Sequence, residues 1–405
     1  MFFEKEDKLL ITAGIICEYN PIHNGHLHHI DRTRQGLGGD CAIVCVMSGN
    51  FVQRGDFAVF SKHARAEAAV RIGADLVVEL PSPYALSSAE GFARAGVYIL
   101  QKLGICDYIS FGSESGDIEA LATAATAMSS DQATSLTKQW LHDGVSYATA
   151  RQKAADAVLG PLAEIFQTPN NLLGIEYIKA ISETGGTLKP FTVKRTGDLH
   201  DSDTGCSGSA LRKMLYHGEL PWLYMPQEAA KIYMQEIAAG RGPVSMKQAE
   251  LALLSRLRAA CPADFAKLPG VSEGLEHRFL RYAMSEPTIT AILEQVKTKR
   301  YAMSRLRRML MCLCLGITAD DTASPPPYIR VLAMNRTGMD LLKSARYLSS
   351  LPIITKPASV HTLSEHARTL FNKEAAATDL YTLAYTDELS RYGGQEWSTS
   401  PRIVV

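Results

Sequence analysis

The sequence predicts an α/β fold: a domain with a parallel sheet, followed by a mainly α-helical C-terminal region. Over the first 115 residues, short apolar segments alternate with segments of helix length. One of them, 42–47 (AIVCVM), is apolar throughout, as expected of a strand buried on both faces. Beyond about residue 218 the pattern is helical and the alternation stops. Such alternation favours right-handed βαβ units, a Rossmann-like arrangement in which ligands bind at the carboxyl ends of the strands.

The elements follow in chain order. Strands are predicted at 11–17, 42–47, 76–79, 108–111 and 192–195. Helices are predicted at 25–37, at 62–72, from a capping box at 87–90 to Gly104, through most of 118–190, and at 209–216. A polar Gly/Asp/Ser stretch occupies 197–208, and Pro325-Pro326-Pro327 marks a break. We therefore expect a domain over 1–217 and a mainly helical region over 218–405, with a further boundary near 322–328, so that 328–405 forms a last small unit or extends the helical region.

Composition excludes some classes of protein. Of 405 residues, 46% are hydrophobic and 21% charged, and Lys+Arg and Asp+Glu both number 42, so the neutral total neither demands nor excludes a nucleic-acid partner. No apolar run approaches the roughly 18 residues of a membrane span, and the first ten residues carry charges where a secretory signal needs an apolar centre. The eight cysteines lack zinc-site spacing, which favours buried thiols in a reducing cytoplasm.

The segment 11–29 (ITAGIICEYNPIHNGHLHH) is the strongest functional signal. An apolar strand ends at a turn with Asn20 and Pro21, and His23-Asn24-Gly25-His26 then opens a helix. Unpaired N–H groups and the positive helix end form an anion site there. Two histidines three residues apart share one helix face, so both imidazoles can reach one phosphate group. The arrangement resembles the nucleotidyltransferase signature and indicates ATP; a helix start with surface histidines is the structural alternative.

Two arginines are candidate ligands for the β- and γ-phosphates. Arg195 is at a strand end, and Arg212 is in the helix that begins near Ser209, which could cap the helix and add a hydroxyl. Arginine suits this role because its planar guanidinium stays charged. For Arg212 a solvated helix face is the alternative. Transfer of AMP from ATP needs positioning and positive charge rather than covalent help from the protein.

Three further segments follow predicted strands or precede a helix. The segment 48–56 (SGNFVQRGD) is too polar and rich in glycine for a plain connector, so it is predicted to be an active-site loop, with an exposed turn as the alternative. Asn170 and Asn171 precede a helix and could read an adenine edge or ribose, or merely cap that helix. Gly112–Asp117 is the third candidate loop.

A basic run in the C-terminal half points to nucleic acid. It holds six cations in twelve positions without an acid: Lys297, Lys299, Arg300, Arg305, Arg307 and Arg308. Release of counterions favours phosphate binding by such a run, and Tyr301 could stack on a base. Arg278 and Arg281 with His277 would extend this surface. A solvated basic helix face is the alternative.

At this point the chain resembles the tRNA(Met) cytidine acetate ligase family, bacterial tRNA-modifying enzymes. The stretches that carry the resemblance are GIICEYNPIHNGHLHH (14–29), VMSGNFVQRGDFAVFSKHARAEAAVRIGADLVVELP (46–81), SFGSE (110–114), GVSYATAR (144–151), PNNLLGIEYIKA (169–180), KRTGDLHD (194–201), KRYAMSRLRRML (299–310) and PPYIRVLAMNRTGMDLL (326–342). The resemblance implies that acetate and ATP form acetyl-adenylate, and that the acetyl group then passes to N4 of the wobble cytidine of elongator tRNA(Met). Mg²⁺ often accompanies ATP, but no carboxylate cluster in the sequence demands it.

The resemblance also implies site residues. The ATP-contacting segment covers Ile16, Cys17, Glu18, Tyr19, Asn20, Pro21, Ile22, His23, Asn24, Gly25, His26, Leu27, His28 and His29. Further nucleotide contacts fall on Gly112, on Asn170 or Asn171, and on Arg195, and the catalytic roles fall on His23, His26 and Arg195. The chain departs from the family at Ile22, where an aromatic residue is commoner, and in SGSALRK (207–213).

Two other functions stay open from the residues alone. A small-molecule adenylyltransferase of the pantetheine-phosphate or mononucleotide type would share the histidine motif, but it leaves the helical extension and the basic run unexplained. A non-catalytic RNA-binding protein on the same fold would not need both histidines, Gly25 and the arginines. Neither membrane association nor an oligomeric state is indicated.

Overall fold

The computed structural model describes residues 10–195, 207–271 and 274–405. The charged N-terminus, most of the polar stretch predicted at 197–208 and the cysteine at 206 lie outside these ranges. The strands are β1 Thr12–Cys17, β2 Ala42–Ser48, β3 Phe51–Val52, β4 Asp56–Phe57, β5 Leu76–Leu80, β6 Tyr108–Ser113, β7 Lys189–Lys194, β8 Ile329–Met334, β9 Ile353–Ile354 and β10 Arg402–Ile403. Within the described ranges no helix is long and apolar enough to cross a membrane.

Helices account for most of the remaining described chain. They are α1 Asn24–Gly36, α2 Lys62–Arg71, α3 Ser82–Ala85, α4 Ala89–Leu103, α5 Ile118–Met128, α6 Asp131–His142, α7 Tyr147–Leu159, α8 Pro169–Glu183, α9 Gly208–Tyr216, α10 Gln227–Ala238, α11 Glu250–Ala259, α12 Pro262–Ala266, α13 Leu275–Ser285, α14 Ile289–Val296, α15 Met303–Leu315, α16 Asp320–Ala323, α17 Arg336–Leu348, α18 Glu365–Thr382 and α19 Gln395–Ser398. Short 3-10 turns lie at Gly160–Gln167, Trp222–Tyr224, Pro357–Thr362 and Glu388–Ser390.

The main sheet has the strand order β10-β8-β5-β2-β1-β6-β7, and β9 pairs with β8. The five strands from β5 to β7 are parallel, as predicted. The chain leaves β1 on one side towards β2 and β5, and returns on the other side as β6 and β7. The point between β1 and β6, where the direction of winding changes, is the place at which such sheets bind ligands.

Alternating side chains of β2 lie on opposite faces of the sheet. Val44 and Val46 pack with the helices on the side of α4 and α8, whereas Ile43 and Cys45 pack with α1, α2 and α10. Both faces are therefore covered, and this explains why 42–47 is apolar without alternation. A third core lies within α11–α15 and includes Phe51 from the β3–β4 hairpin.

The C-terminal part of the chain differs from the prediction. The region beyond 218 is mainly helical, as predicted, but it also contains strands that were not predicted: β8 pairs antiparallel with β5, and β10 pairs parallel with β8. The sheet is therefore mixed. The segment 328–405 is neither a separate unit nor an extension of the helical region, because its strands complete the sheet that the first 200 residues begin. Buried apolar side chains such as Leu332 join the same core as β1 and β2.

The helix starts are mostly as predicted, with two corrections. At α4 the cap is Ser88, whose hydroxyl accepts the Gly91 N–H at 3.2 Å, rather than a box formed by Ser87 and Glu90. At α9 the cap is Ser207, which accepts the Ala210 N–H at 3.2 Å, and not Ser209. Both differences are small shifts along the chain, and both leave an orphan N–H of the first turn satisfied.

Candidate active site

The turn after β1 is held in one conformation by buried contacts. Tyr19 has φ +47°, a left-handed conformation that is uncommon outside glycine. Its buried ring packs edge-on against His26 with the ring centroids 4.8 Å apart, and its hydroxyl lies 3.6 Å from the Cys45 sulfur. Asn20 Oδ1 accepts the Val59 N–H at 2.7 Å. The turn is thus tied to the end of β2 and to the chain leading into α2.

The histidine pair forms a reciprocal cap at the start of α1. His23 Nδ1 accepts the Gly25 N–H at 3.1 Å, and His26 Nδ1 accepts the His23 N–H at 3.2 Å. The two rings stack with their centroids 3.8 Å apart. Because each Nδ1 accepts a hydrogen bond, the neutral form of each ring carries its proton on Nε2. The pair therefore presents two N–H donors side by side at the positive end of a helix.

Two imidazoles of this helix, those of His26 and His29, have pKa values below the ordinary 6.5 and add no positive charge at pH 7. Burial lowers the pKa of His26 well below 6.5, and the charges of His23 and Arg195 lower it further. Burial also lowers the pKa of His29 to about 4. The His29 ring does not face the same way as the pair, because its Nε2 lies 3.0 Å from the Ser110 hydroxyl on β6. Positive charge at the site must come from arginines.

Arg195 and Gly112 meet where β6 and β7 end. The Arg195 N–H donates to the Ser113 carbonyl at 2.9 Å, and its exposed side chain runs over Gly112. A Cβ at Gly112 would lie 3.3 Å from Arg195 Cγ, so glycine allows this close approach. The Arg195 charge acts on both His26 and His29. These predicted residues therefore come together at the change of winding between β1 and β6.

Arg212 reaches the same turn from α9. Its Nη1 donates to the Asn20 carbonyl at 2.6 Å, and its Nη2 donates to the Ser209 hydroxyl at 3.1 Å. Ser209 therefore orients Arg212 instead of capping the helix. The alternative of a solvated helix face is wrong for Arg212, because the side chain is half-buried against the turn that precedes the histidine pair.

The remaining residues of the predicted ATP segment lie in two environments. Ile16, Tyr19 and Ile22 are buried in the apolar cores, so any contact they make with a nucleotide would use backbone atoms. Asn24 is exposed and donates to the Leu223 carbonyl at 3.3 Å. The others lie along the end of β1 or the first two turns of α1: Cys17, Glu18, Pro21, Leu27 and His28.

The two asparagines bind the loop after β6. Asn170 Nδ2 donates to Glu114 Oε1 at 2.6 Å, and Asn171 Oδ1 accepts the N–H groups of Glu114 and Ser115 at 3.0 and 3.1 Å. Burial would raise the pKa of Glu114, but these bonds outweigh it and lower the pKa. Neither amide caps α8, because both lie within its first turn. They set the loop that follows Gly112, and a direct contact with nucleotide stays a prediction.

The segment 48–56 forms a hairpin against the ATP segment. β3 and β4 pair antiparallel, and the rings of Phe51 and Phe57 pack with their centroids 4.8 Å apart in the core. The Gln53 N–H donates to Glu18 Oε1 at 2.6 Å. The alternative of an exposed turn is wrong for most of this segment.

Sequence reasoning missed Arg65, which joins the carboxyl ends of β1 and β2. This guanidinium is fully buried, and it donates to the carbonyls of Glu18, Ser48, Gly49 and Phe60. Burial lowers its pKa. No local signal singled out Arg65, because α2 also carries Lys62, His63, Glu67 and Arg71. Its full burial is the informative observation, since arginine is rarely fully buried without partners.

A second buried group of charges lies behind the hairpin. Lys62 Nζ lies 2.7 Å from both Glu79 and Glu396, with side chains 1% exposed, and links α2, β5 and α19. Burial raises the pKa of neighbouring Glu374 to about 8, and Ser82 donates to it twice. Among the described residues, no group of three or more His, Cys, Asp and Glu side chains could hold a metal ion.

Three cations of the predicted basic run are exposed, and the other three bind groups of the protein itself. Lys297, Lys299 and Arg300 are exposed in the connection before α15. The three on α15 are half-buried and bound elsewhere: Arg305 to the Gly270 carbonyl, Arg307 to Asp56, and Arg308 to the Gln53 carbonyl.

Two of the aromatic and cationic predictions beside this run are corrected. Tyr301 is 9% exposed in the helical core, so it does not offer its ring to a base. Arg278 donates to the carbonyls of Gln295 and Val296 at the end of α14. Arg281 and His277 stay exposed on α13. Packing between helices buries Tyr301 and gives Arg278 its carbonyl partners, and no local sequence pattern indicates such packing.

The site combines imidazole donors at a helix start with nearby arginines, at the point where the direction of winding in the sheet changes. These features define the class of the protein as an α/β nucleotidyltransferase. The model of the HIGH Nucleotidyl Transferase family matches residues 11–396. Similar curated proteins include the tRNA(Met) cytidine acetate ligases of Acetivibrio thermocellus, 36% identical over 96% of this chain and 98% of that protein, and of Caldicellulosiruptor saccharolyticus, 39% identical with the same coverage. The chain belongs to the tRNA(Met) cytidine acetate ligase family.

Solved structures agree with this assignment. The crystal structure of Thermotoga maritima TmcAL bound with alpha-thio ATP superposes with a TM-score of 0.91 at 32% identity, covering 98% of this chain and 100% of that one. The apo form gives a TM-score of 0.92 at the same identity and coverage. The similarity extends over the sheet and the helical region alike.

Proposed function

We propose that the protein activates acetate with ATP as acetyl-adenylate and transfers the acetyl group to N4 of the wobble cytidine (C34) of elongator tRNA(Met). The observation that carries the proposal is the stacked pair His23 and His26 at the start of α1, with Arg195 and Arg212 beside it. Family membership supports the choice of substrates, since the relatives are named for this reaction and a neighbouring structure binds an ATP analogue.

In the first step an acetate oxygen attacks the α-phosphorus of ATP and pyrophosphate departs with the electron pair of the broken P–O bond. Acetate is already an anion, so no general base is needed. The Nε2–H groups of His23 and His26 donate to phosphate oxygens, and the lowered pKa of His26 keeps a charge from being buried at that ring. Arg195 and Arg212 offset the charge that builds on pyrophosphate.

In the second step the cytidine amine attacks the acetyl carbonyl. The C–N bond forms, the amine loses one proton, and AMP leaves. The exocyclic amine is a poor nucleophile, so positioning of an unstacked base carries this step. The exposed cations Lys297, Lys299 and Arg300 supply part of the surface for the tRNA backbone.

Exchange of pyrophosphate into ATP tests the first step. The purified protein should exchange labelled pyrophosphate only when acetate is added, and His26→Ala should reduce kcat/KM by about a hundredfold or more. His142→Ala is the control, because that side chain is 93% exposed on α6. A small-molecule adenylyltransferase would ignore acetate and respond to pantetheine phosphate or a mononucleotide instead. A non-catalytic RNA-binding protein would exchange nothing.

Charge reversal tests the tRNA surface. Replacing Lys297, Lys299 and Arg300 together with glutamate should weaken tRNA binding by about tenfold or more at 0.1 M salt while sparing acetate-dependent exchange. These positions are better targets than Arg305 and Arg308, because Arg308 also contacts the hairpin beside the ATP segment.

A matched triple reversal on α17 is the control: Arg336, Lys343 and Arg346, all exposed. Equal losses of tRNA binding in both triple variants would contradict a specific tRNA-binding surface at Lys297, Lys299 and Arg300. Mass spectrometry of tRNA from a deletion strain should show that N4-acetylcytidine disappears from elongator tRNA(Met), and unchanged modification would contradict the whole proposal.

The domain assignment follows the fold. We assign ATP binding to 1–217, completed by the strands within 328–405, and tRNA binding to the helical part of 218–405 around α11–α15. Mg²⁺ entering with ATP would be held mainly by phosphate oxygens and water. We place the reaction in the cytoplasm, where tRNA is modified; the seven cysteines in the described ranges are free thiols, with Cys261 exposed.

A further inference from the structure

The tip of the β3–β4 hairpin is a rigid structure beside the ATP segment. The Gly55 N–H donates to the Val52 carbonyl at 2.9 Å and closes a turn over Val52-Gln53-Arg54-Gly55. Gly55 has φ +74°, and a Cβ there would collide with the backbone of Arg307 and Arg308 on α15. The turn therefore packs closely against α15, and its conformation requires glycine at position 55.

The same tip is fastened to the residues that precede the histidine pair. The Gln53 N–H donates to Glu18 Oε1 at 2.6 Å, and the Gln53 carbonyl accepts from Arg308 Nη1 at 3.3 Å. Glu18 is two residues before Asn20, whose carbonyl accepts from Arg212. Both neighbours of Arg54 in the chain are thus fixed, and Arg54 itself stands next to the group of cations proposed to hold the phosphates.

Arg54 is a cation of this region whose side chain has no partner among the residues that the structure describes. Arg212, Arg307 and Arg308 each bind a carbonyl or a carboxylate. The Arg54 side chain is exposed, and among the described residues no hydrogen bond or ion pair engages it. Burial lowers the pKa of Arg212, and the charge of Arg54 lowers it further, so the two guanidiniums are within electrostatic reach of each other.

The chemistry requires a positive charge at this place. Acetate is an anion that must approach the anionic α-phosphate, and such an approach is opposed by repulsion unless a cation lies between or beside them. Burial lowers the pKa of His26 and of His29, so these two imidazoles bring no positive charge to the site at pH 7. Gly112 is in β6 and Arg195 directly follows β7, on one side of β1 in the strand order, whereas the hairpin that carries Arg54 follows β2, on the other side of β1.

We propose that Arg54 binds the carboxylate of acetate and holds it in line with the α-phosphate, an assignment that rests on the function proposed above. A guanidinium suits this role because its planar fork donates two parallel hydrogen bonds to a carboxylate. In the reaction one acetate oxygen forms the bond to phosphorus, the bond from phosphorus to the bridging oxygen breaks, and no proton moves. Arg54 is then a catalytic residue that acts on the acid and not on the nucleotide.

The test is acetate-dependent pyrophosphate exchange in the absence of tRNA, with Arg54→Met and Arg54→Lys in the full chain. Arg54→Met should raise KM for acetate by about tenfold to a hundredfold while KM for ATP changes less than about twofold. Arg54→Lys should recover part of the loss, because it restores the charge but not the fork. Arg336→Met, an exposed arginine at the start of α17, is the control and should behave as wild type.

Other outcomes would overturn the assignment. A rise in KM for ATP with KM for acetate unchanged would make Arg54 a nucleotide ligand. Normal exchange with loss of acetyl transfer to tRNA would make it a tRNA contact. Far-ultraviolet circular dichroism and binding of an ATP analogue show whether a variant is misfolded. If Arg54→Met is misfolded, KM for acetate of the folded Arg54→Lys variant tests the assignment. If the wild-type protein shows no acetate-dependent exchange, the proposed function itself fails, and this inference fails with it.

Discussion

Replacing Arg65 with methionine should destabilise the protein and weaken ATP binding together. The buried guanidinium donates to four carbonyls, which belong to Glu18, Ser48, Gly49 and Phe60. A hydrogen bond to a charged group contributes roughly 1.5–3 kcal/mol, so four would contribute roughly 6–12 kcal/mol by simple addition. Methionine fills similar space and leaves all four acceptors without a donor.

The net loss is smaller than that sum. Burying a cation costs several kcal/mol, and methionine avoids this cost. We therefore expect the free energy of unfolding to fall by about 3–5 kcal/mol, the range seen when one partner of a buried charged group is removed. KM for ATP should rise by about tenfold to a hundredfold, because the Glu18 carbonyl, two residues from Asn20, is released from its position.

Urea denaturation and steady-state kinetics measure these two effects. Arg65→Lys keeps the charge and should lose about half as much stability, because one ammonium cannot reach all four carbonyls. Arg71→Met is the matched control on the same helix, since its guanidinium forms an exposed pair with Glu67, and it should change stability by less than about 0.5 kcal/mol. An Arg65→Met variant within about 1 kcal/mol of wild type would refute the reasoning.

Two further outcomes are expected. Gly112→Val should raise KM for ATP by about tenfold, and Gly112→Ala should raise it by less. The reason is that a Cβ at this position would lie 3.3 Å from Arg195 Cγ and displace that side chain. Unchanged KM values in both variants would show that this packing is not part of the ATP site. Burial lowers the pKa of His63 to about 3 from the ordinary 6.5, so the unfolded chain binds the extra proton between these values and stability falls as pH drops from about 6.5 towards 3. His63→Leu should flatten this fall in urea denaturation between pH 6.5 and 4, and an identical slope in both proteins would contradict the role of His63.

The parts that sequence predicted well are local. The strand, turn and helix around His23 and His26 are contiguous, and the reciprocal cap needs only residues three apart. The alternation of strands and helices up to β7 likewise reflects neighbouring segments. Arg195 and Gly112 could be placed together because parallel strands end at the same edge of a sheet.

The parts that sequence missed depend on distant segments. Arg65 looked like one charge on an alanine-rich helix, and its role appears only when three separate stretches of backbone converge on it. β8 follows a long helical stretch, and its partner β5 lies about 250 residues earlier, so no local pattern indicated the pairing. Tyr301 and Arg278 looked like a ligand surface until helix packing enclosed the ring and gave the guanidinium carbonyl partners.

The pairing of β8 with β5 has a consequence for dissecting the protein. A fragment that stops near residue 217 would expose the hydrogen-bonding edge of Leu76–Leu80, a buried apolar strand that offers a template for intermolecular pairing. Such a fragment should aggregate even though it carries every residue of the histidine motif. Only a polypeptide that includes 328–405 closes that edge, so the sheet of the nucleotide-binding half cannot be completed before these residues have been synthesised.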